Sequence, residues 1–275
     1  MVTIYYARVG EDWRKEAKYD FLTEKQHIGE VEWQTLQPDA RYTWLTEGLS
    51  AEFETFLPMG TKEGKAAEKG EAETIFKVYS RGVCSNGDTY VYNFNCATLS
   101  AVAQGMVDNY NAERYRWMGQ GRPQNLDEFL RVDETKLKWI RRTKRSLLRG
   151  LEVEFDTTKI RWALYRPFCR QFHYFETVFN EDIYRFPQIF PILETENSVI
   201  CITDKASEKP FMVLTSDSIP DLHLVGAGAN AQCFPFYTYA EDGSARRENI
   251  TDWALTQFRA HYLTPSPPHQ MGHLP

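Results

Sequence analysis

Arg81, Asn86 and Asp88 stand between two alternating aromatic runs in KVYSRGVCSNGDTYVYNF, residues 77–94. A plain strand-turn-strand does not need that density of polar side chains. One use of the segment is contact with a partner. The other is a turn whose Asn and Asp satisfy their own backbone. Arg166 and Arg170 recur in YRPFCRQFHYF, followed by Gln171 and Asn180, and pose the same choice. A strand end whose guanidinium pairs with a carboxylate also accounts for Arg166. Seven basic residues and no acid lie between 136 and 149. Such a run either solvates one face of a helix or neutralises phosphates.

The common catalytic signatures are missing. The chain has no GxGxxG or GxxxxGK[ST] loop, no HExxH helix and no GxSxG elbow. The five cysteines, Cys84, Cys96, Cys169, Cys201 and Cys233, are widely spaced and never form CxxC, so they read as small buried thiols of a reducing cytosol. No catalytic residue and no metal site is expected. A loose match to a metal-dependent nuclease core joins Asp39 to Glu63 and Lys65, but its second half falls in the low-complexity run TKEGKAAEKGEAE, which reads as an exposed loop.

Elements must position these groups. VTIYYARV predicts a strand and DWRKEAKYDFLTEK a helix begun by Asp12. TIFKVYS and TYVYNF, joined by SNGD, predict a β-hairpin. Helical patterns follow at 98–118 and about 124–131. The basic run, opened by Asp133 and Glu134 and closed by Gly150, predicts one helix over 133–150. On it Leu137, Ile140, Leu147, Leu148 and Leu151 share an arc of about 100°, and Lys138, Arg141, Arg142, Arg145 and Arg149 an adjoining one. Lys144 falls in the apolar arc and has to snorkel. From 152 the chain reads as short strands: EVEF, KIRWALYRPF, RQFHYFE, SVICITD and FMVLTSD. ENITDWALTQFRAHY predicts a closing helix capped by Thr251, and the rest a disordered tail.

The expected class is α+β: a helical N-terminal half with a β-hairpin, then a β-rich half ending in a helix. The expected parts are 1–150, 151–262 and a tail over 263–275. With 275 residues, 42% hydrophobic and 25% charged, the chain can bury a core without staples. Its net charge of −6 places any nucleic-acid role in a local patch. The start lacks the regions of a signal peptide and no stretch approaches a membrane span, which points to the cytoplasm. The NIT pattern at 249–251 carries little meaning without a secretory route.

Six blocks then resemble one known family in order and spacing: WQTLQPDARYTWL, IFKVYSRGVCSNGDTYVYNF, KLKWIRRTKRSLLRG, IRWALYRPF, CFPFYTY and ENITDWALTQFRAHY. They are similar to the type ISP restriction-modification enzymes, which join a nuclease, a helicase-like ATPase, an N6-adenine methyltransferase and a target recognition domain. The resemblance spans roughly residues 4–262. It implies that TIYYARV is the last strand of the methyltransferase fold and that the rest is the recognition region. The [DN]PPY tetrad, the S-adenosylmethionine loop and the ATPase loop are absent, so S-adenosylmethionine, ATP and Mg²⁺ are implied only for the parent enzyme. The chain departs from the family at Ser85-Asn86-Gly87-Asp88, where the pattern is nearer Thr-Asn-Arg-Asp, and after the last helix, where a His-rich helical segment is replaced by YLTPSPPHQMGHLP.

The resemblance implies recognition of double-stranded DNA. Lys138, Arg141, Arg142, Arg145 and Arg149 are the expected backbone contacts, and Arg81, Asn86, Arg166, Arg170, Gln171 and Asn180 the candidates for bases or the cleft. Two other readings stand beside it: a module that docks methyltransferase to helicase and nuclease parts, and a nuclease built on Asp39, Glu63 and Lys65.

Overall fold

The computed structural model describes residues 3–10, 12–38, 44–45, 55–62, 73–204, 207 and 209–263. The candidate nuclease residues Asp39, Glu63 and Lys65, most of the low-complexity run and the tail after Leu263 lie outside them. The chain divides into two units, Met1–Phe56 and Leu57–Pro275. In the first, β1 (Ile4–Tyr6) pairs antiparallel with β2 (Gln34–Leu36), and α1 (Lys15–Lys25) lies between them in sequence. The helix begins after Arg14 rather than at Asp12.

The second unit is α+β, as expected, and holds the remaining elements. β3 (Ser80–Arg81), β10 (Ala231–Pro235), β7 (Val199–Thr203) and β8 (Val213–Ser216) form one four-stranded antiparallel sheet in that order. β4 (Tyr92–Asn93), β6 (Cys169–Tyr174), β5 (Ile160–Arg166) and β9 (Ile219–Pro220) form the other, with β9 parallel to β5. β11 (Tyr237–Thr238) and β12 (Arg247–Glu248) make a separate pair. α3 (Cys96–Gly119) packs on the second sheet through Leu99, Ala103, Met106, Val107, Tyr110 and Trp117, the three-and-four spacing of a helix with one buried face. Asn95 caps it by accepting from Thr98 N at 2.9 Å.

Four expectations fail locally, the first three where side chains take over backbone partners. The predicted hairpin does not form: β3 and β4 belong to different sheets. Gly87 N donates to Ser85 Oγ at 3.1 Å, Asn86 takes φ +53°, and Asp88 opens a helical turn, α2 (Asp88–Val91). EVEF forms no strand among the described residues. Asn111 Nδ2 donates to Val153 O, Val153 N returns a bond to Asn111 Oδ1, and Arg114 Nε donates to Gly150 O, so α3 supplies its partners. The basic helix is shorter than predicted. Asp133 closes an Asx turn on Thr135, and α5 spans only Arg141–Leu148 after α4 (Leu126–Phe129). Its end is as predicted: Gly150 at φ +69° donates to Leu147 O and Leu151 N to Ser146 O, a Schellman closure. Its buried face is Thr143, Ser146 and Leu147, whereas Leu148 and Leu151 are exposed. Lys144 reaches Asp127 at 2.6 Å instead of lying on the core. Finally, only Cys201 and Cys233 are buried thiols; Cys84 and Cys169 are half-buried and Cys96 is exposed.

Two further elements close the unit, α6 (Phe186–Ile189) and α7 (Asp252–Leu263). Asn249 is buried, and its amide bonds Val78 N, Val78 O and Pro235 O, so the NIT pattern is a structural clasp. Thr251 caps α7 as expected, accepting from Ala254 N at 3.0 Å and donating to Thr74 O. Thr251→Ala strands both partners, one of them inside the core. We expect a loss of about 2 kcal/mol, read as a lower urea midpoint at unchanged slope. No helix among the described residues is long and apolar enough to cross a membrane.

Candidate functional site

The segment 80–88 runs between the two sheets and is bonded on both sides. Gly82 N donates to Ala231 O, Val83 N to Pro220 O and Leu222 N to Val83 O, and Cys84 exchanges both backbone bonds with Asp182. This places Asp221 beneath Asp88. Asp221 is 3% exposed and accepts from Arg166 Nη1 at 2.8 Å, His223 N at 2.9 Å and Tyr92 OH at 3.2 Å. Asp88 accepts from Ser85 Oγ and from Tyr165 OH at 2.8 Å, with Arg166 Nη2 at 3.9 Å. Arg166 also lies over the Tyr165 ring. The cluster thus answers the turn-or-contact choice at Asp88 and Arg166 in favour of a joint.

The titrations follow from burial. It raises the Asp221 carboxyl above its ordinary value, although Arg166 opposes the shift. Burial and the bond to Asp88 push Tyr165 up to about 12, and burial, reinforced by Asp221 and Glu181, pushes the Cys84 thiol up to about 11. Cys84 is therefore a thiol rather than a thiolate nucleophile at neutral pH. What the arrangement offers a partner is hydrogen-bonding groups and charge on a rigid frame. A cavity of about 580 Å³ opens beside it, lined by Ser85, Asn86, Gly87, Tyr90, Lys138 and His223 among others.

The structure divides the expected backbone contacts in two. Arg141 bonds Glu181 and lies 3.6 Å from Asp182, and Arg142 reaches Asp182 at 3.1 Å and the Glu181 carbonyl. Their charges are already matched, and burial of Glu181 makes that matching structural. Lys138, Arg145 and Arg149 are exposed and form no ion pair among the described residues. Arg145 and Arg149 stand four residues apart at the end of α5, while Lys138 stands at the cavity.

The base or cleft candidates divide likewise. Asn86 is exposed at the cavity and accepts only a long bond from Cys84 Sγ, 3.5 Å. Arg81 is half exposed, 3.8 Å from Asp204, and Arg170 pairs with the exposed Asp217 at 2.6 Å. Gln171 is buried on β6 beside Cys169. Asn180 is fully buried: its Oδ1 bonds His173 Nε2 at 2.8 Å and its Nδ2 bonds Tyr174 O and Glu176 O, leaving nothing to offer a base. Among the described residues no group of three or more potential ligands could hold a metal ion. Sequence reasoning missed Asp221, Tyr92, Glu181 and Asp182. The adjacent acids at 181–182 are a visible signal, but their Arg142 partner lies 40 residues away and nothing in the sequence joins them.

Parts of three solved proteins share this architecture. The chain superposes on DrdV in a DrdV–DNA complex with TM-score 0.71 at 31% identity, covering 95% of this chain and 25% of that one. It superposes on a nuclease-deletion mutant of the Type ISP restriction-modification enzyme LlaGI, in complex with a DNA substrate mimic, with TM-score 0.69 at 27% identity, covering 91% and 23%. For the ATP-dependent Type ISP enzyme LlaBIII bound to DNA the TM-score is 0.69 at 20% identity, covering 93% and 16%, a likeness of fold alone. The chain therefore spans a quarter or less of these proteins. No curated protein matches it. Residues 74–270 match the Type ISP C-terminal specificity domain, and the chain belongs to that family.

Proposed function

We propose that this chain recognises a sequence in double-stranded DNA as the specificity part of a restriction-modification enzyme. Membership of the specificity-domain family over residues 74–270 carries the reading. Two neighbours above a quarter identity, LlaGI and DrdV, are seen with a DNA substrate mimic and with DNA, which supports it. Phosphate contacts set register, and base-edge contacts set sequence. Lys138, Arg145 and Arg149 are assigned the first task because their charges are unmatched. Asn86, Arg81 and Arg170 are the base-edge candidates with exposed polar groups, while Arg166 and Asp221 hold the frame. Methylation of adenine and cleavage of unmodified DNA belong to other parts of the parent enzyme, which would use S-adenosylmethionine, ATP and Mg²⁺ in the cytoplasm.

The test is retention of a randomised duplex pool by the purified chain at low and moderate salt, followed by sequencing. An enriched asymmetric motif establishes recognition. No retention at either salt favours the docking module instead. Three unmatched cations give a log-log salt slope of about −3, lower than all five expected backbone contacts would give. Arg145→Glu with Arg149→Glu should weaken all duplexes alike, about tenfold or more, and flatten that slope by about 2. Loss confined to one sequence would assign these arginines to bases.

A further inference from the structure

The hairpin joining β5 to β6 ends in the two residues Pro167 and Phe168, because Arg166 and Cys169 are already paired. Phe168 sits at φ +61° and is 100% exposed. A left-handed conformation at the second position of such a turn suits glycine or asparagine, and costs a side chain with a Cβ about 1 kcal/mol. A wholly exposed ring returns nothing to the fold. Both features disfavour phenylalanine here, and no contact among the described residues offsets them.

The turn is nonetheless rigid. Proline fixes its first dihedral, the strands lie within the four-stranded sheet, and Arg166 at its base is tied to the buried Asp221. Arg170, half exposed, stands two residues beyond the ring and among the described residues pairs only with the exposed Asp217, a surface pair that a phosphate can replace. One ring with cationic neighbours is far short of the roughly 1,000 Å² that a specific protein interface needs. Proline and phenylalanine are both side chains that proteins drive between base steps, where a single ring suffices.

We propose that Pro167 and Phe168 form a wedge that enters the base stack of bound duplex DNA, with Phe168 as the inserted ring. The inference rests on the DNA-recognition reading. The wedge would unstack one step, and specificity would then come partly from the ease with which that step opens.

Phe168→Gly separates the roles because its effects on fold and on binding have opposite signs. The glycine variant should melt at the same temperature as the wild type or higher, yet bind a retained duplex about tenfold more weakly. With 2-aminopurine placed in turn at each adenine of that duplex, wild-type binding should brighten one position, and Phe168→Gly should abolish the signal. Phe168→Leu, still an apolar wedge, should keep part of it. Equal binding and equal fluorescence for the glycine variant would overturn the wedge and leave DNA recognition standing. A lower melting temperature for that variant would make the ring structural and likewise overturn it. Wild-type protein that retains no duplex would remove the recognition reading and the wedge with it.

Discussion

Between pH 6.5 and pH 4 the protein should lose about 3 kcal/mol of stability through one side chain, His173. The imidazole is fully buried, stacked on Tyr92 with centroids 4.3 Å apart, and bonded through Nε2 to Asn180. Burial pushes its pKa down to about 4, against an ordinary value near 6.5, while the Asn180 bond opposes the shift only in part. The folded state therefore holds the ring neutral in a range where the unfolded chain protonates it. Stability from this group is complete above pH 6.5 and is lost as pH falls through 4. Asp221, raised by burial, works in the opposite sense, since its folded form disfavours ionisation above the ordinary carboxylate value. Both proteins in a comparison of wild type with His173→Phe keep Asp221, so the difference isolates the histidine. Urea midpoints measured from pH 7.5 to 4 should fall steeply for the wild type and less so for the variant, which starts lower because Asn180 Oδ1 loses its partner. Parallel curves would mean that His173 titrates normally.

Residues whose partners are local were legible in the sequence. Thr251 declares its helix because a cap needs only the next three residues. The alternation in 160–166 and 169–174 marks β5 and β6 for the same reason. The site was less legible, since its bonds are long-range. Asp88 looks like turn chemistry, and its Tyr165 partner is 77 residues away. Placing Arg141 and Arg142 on a solvated cationic arc assumed one continuous helix over 133–150, and it missed that Glu181 and Asp182 neutralise both. Val153 reads as a strand residue because its side chain alternates correctly; that Asn111 replaces the neighbouring strand is invisible to any pattern. What the pattern did carry was the family, because six blocks in order constrain more than any one of them.

Gly82→Ala should cost about 3 kcal/mol or more, and Gly105→Ala should stabilise by up to about 1 kcal/mol. The substitution is the same and the surroundings decide the sign. A Cβ on Gly82 would lie 2.4 Å from the Asp221 carbonyl oxygen, 2.6 Å from its carbon and 2.8 Å from Leu222 N, all backbone atoms. Neither strand can retreat. Ser80 and Arg81 are paired to β10 on one side, Val83 is bonded to Pro220 and Leu222 on the other, and Cys84 is bonded to Asp182. Gly105 lies inside α3 with nothing within 4 Å of its missing Cβ, so alanine there removes only unfolded-state freedom. Thermal melting should move down by about 6 °C or more for the first and up by about 2 °C for the second. The Gly82 variant should also lose DNA retention beyond its loss of folded protein, measured below its melting point. Pushing residues 221–222 aside shifts the carboxylate that anchors Arg166, and with it the base of the Pro167–Phe168 turn. Retention unchanged per folded molecule would show that the frame around Asp221 stabilises the domain without orienting its DNA-facing groups.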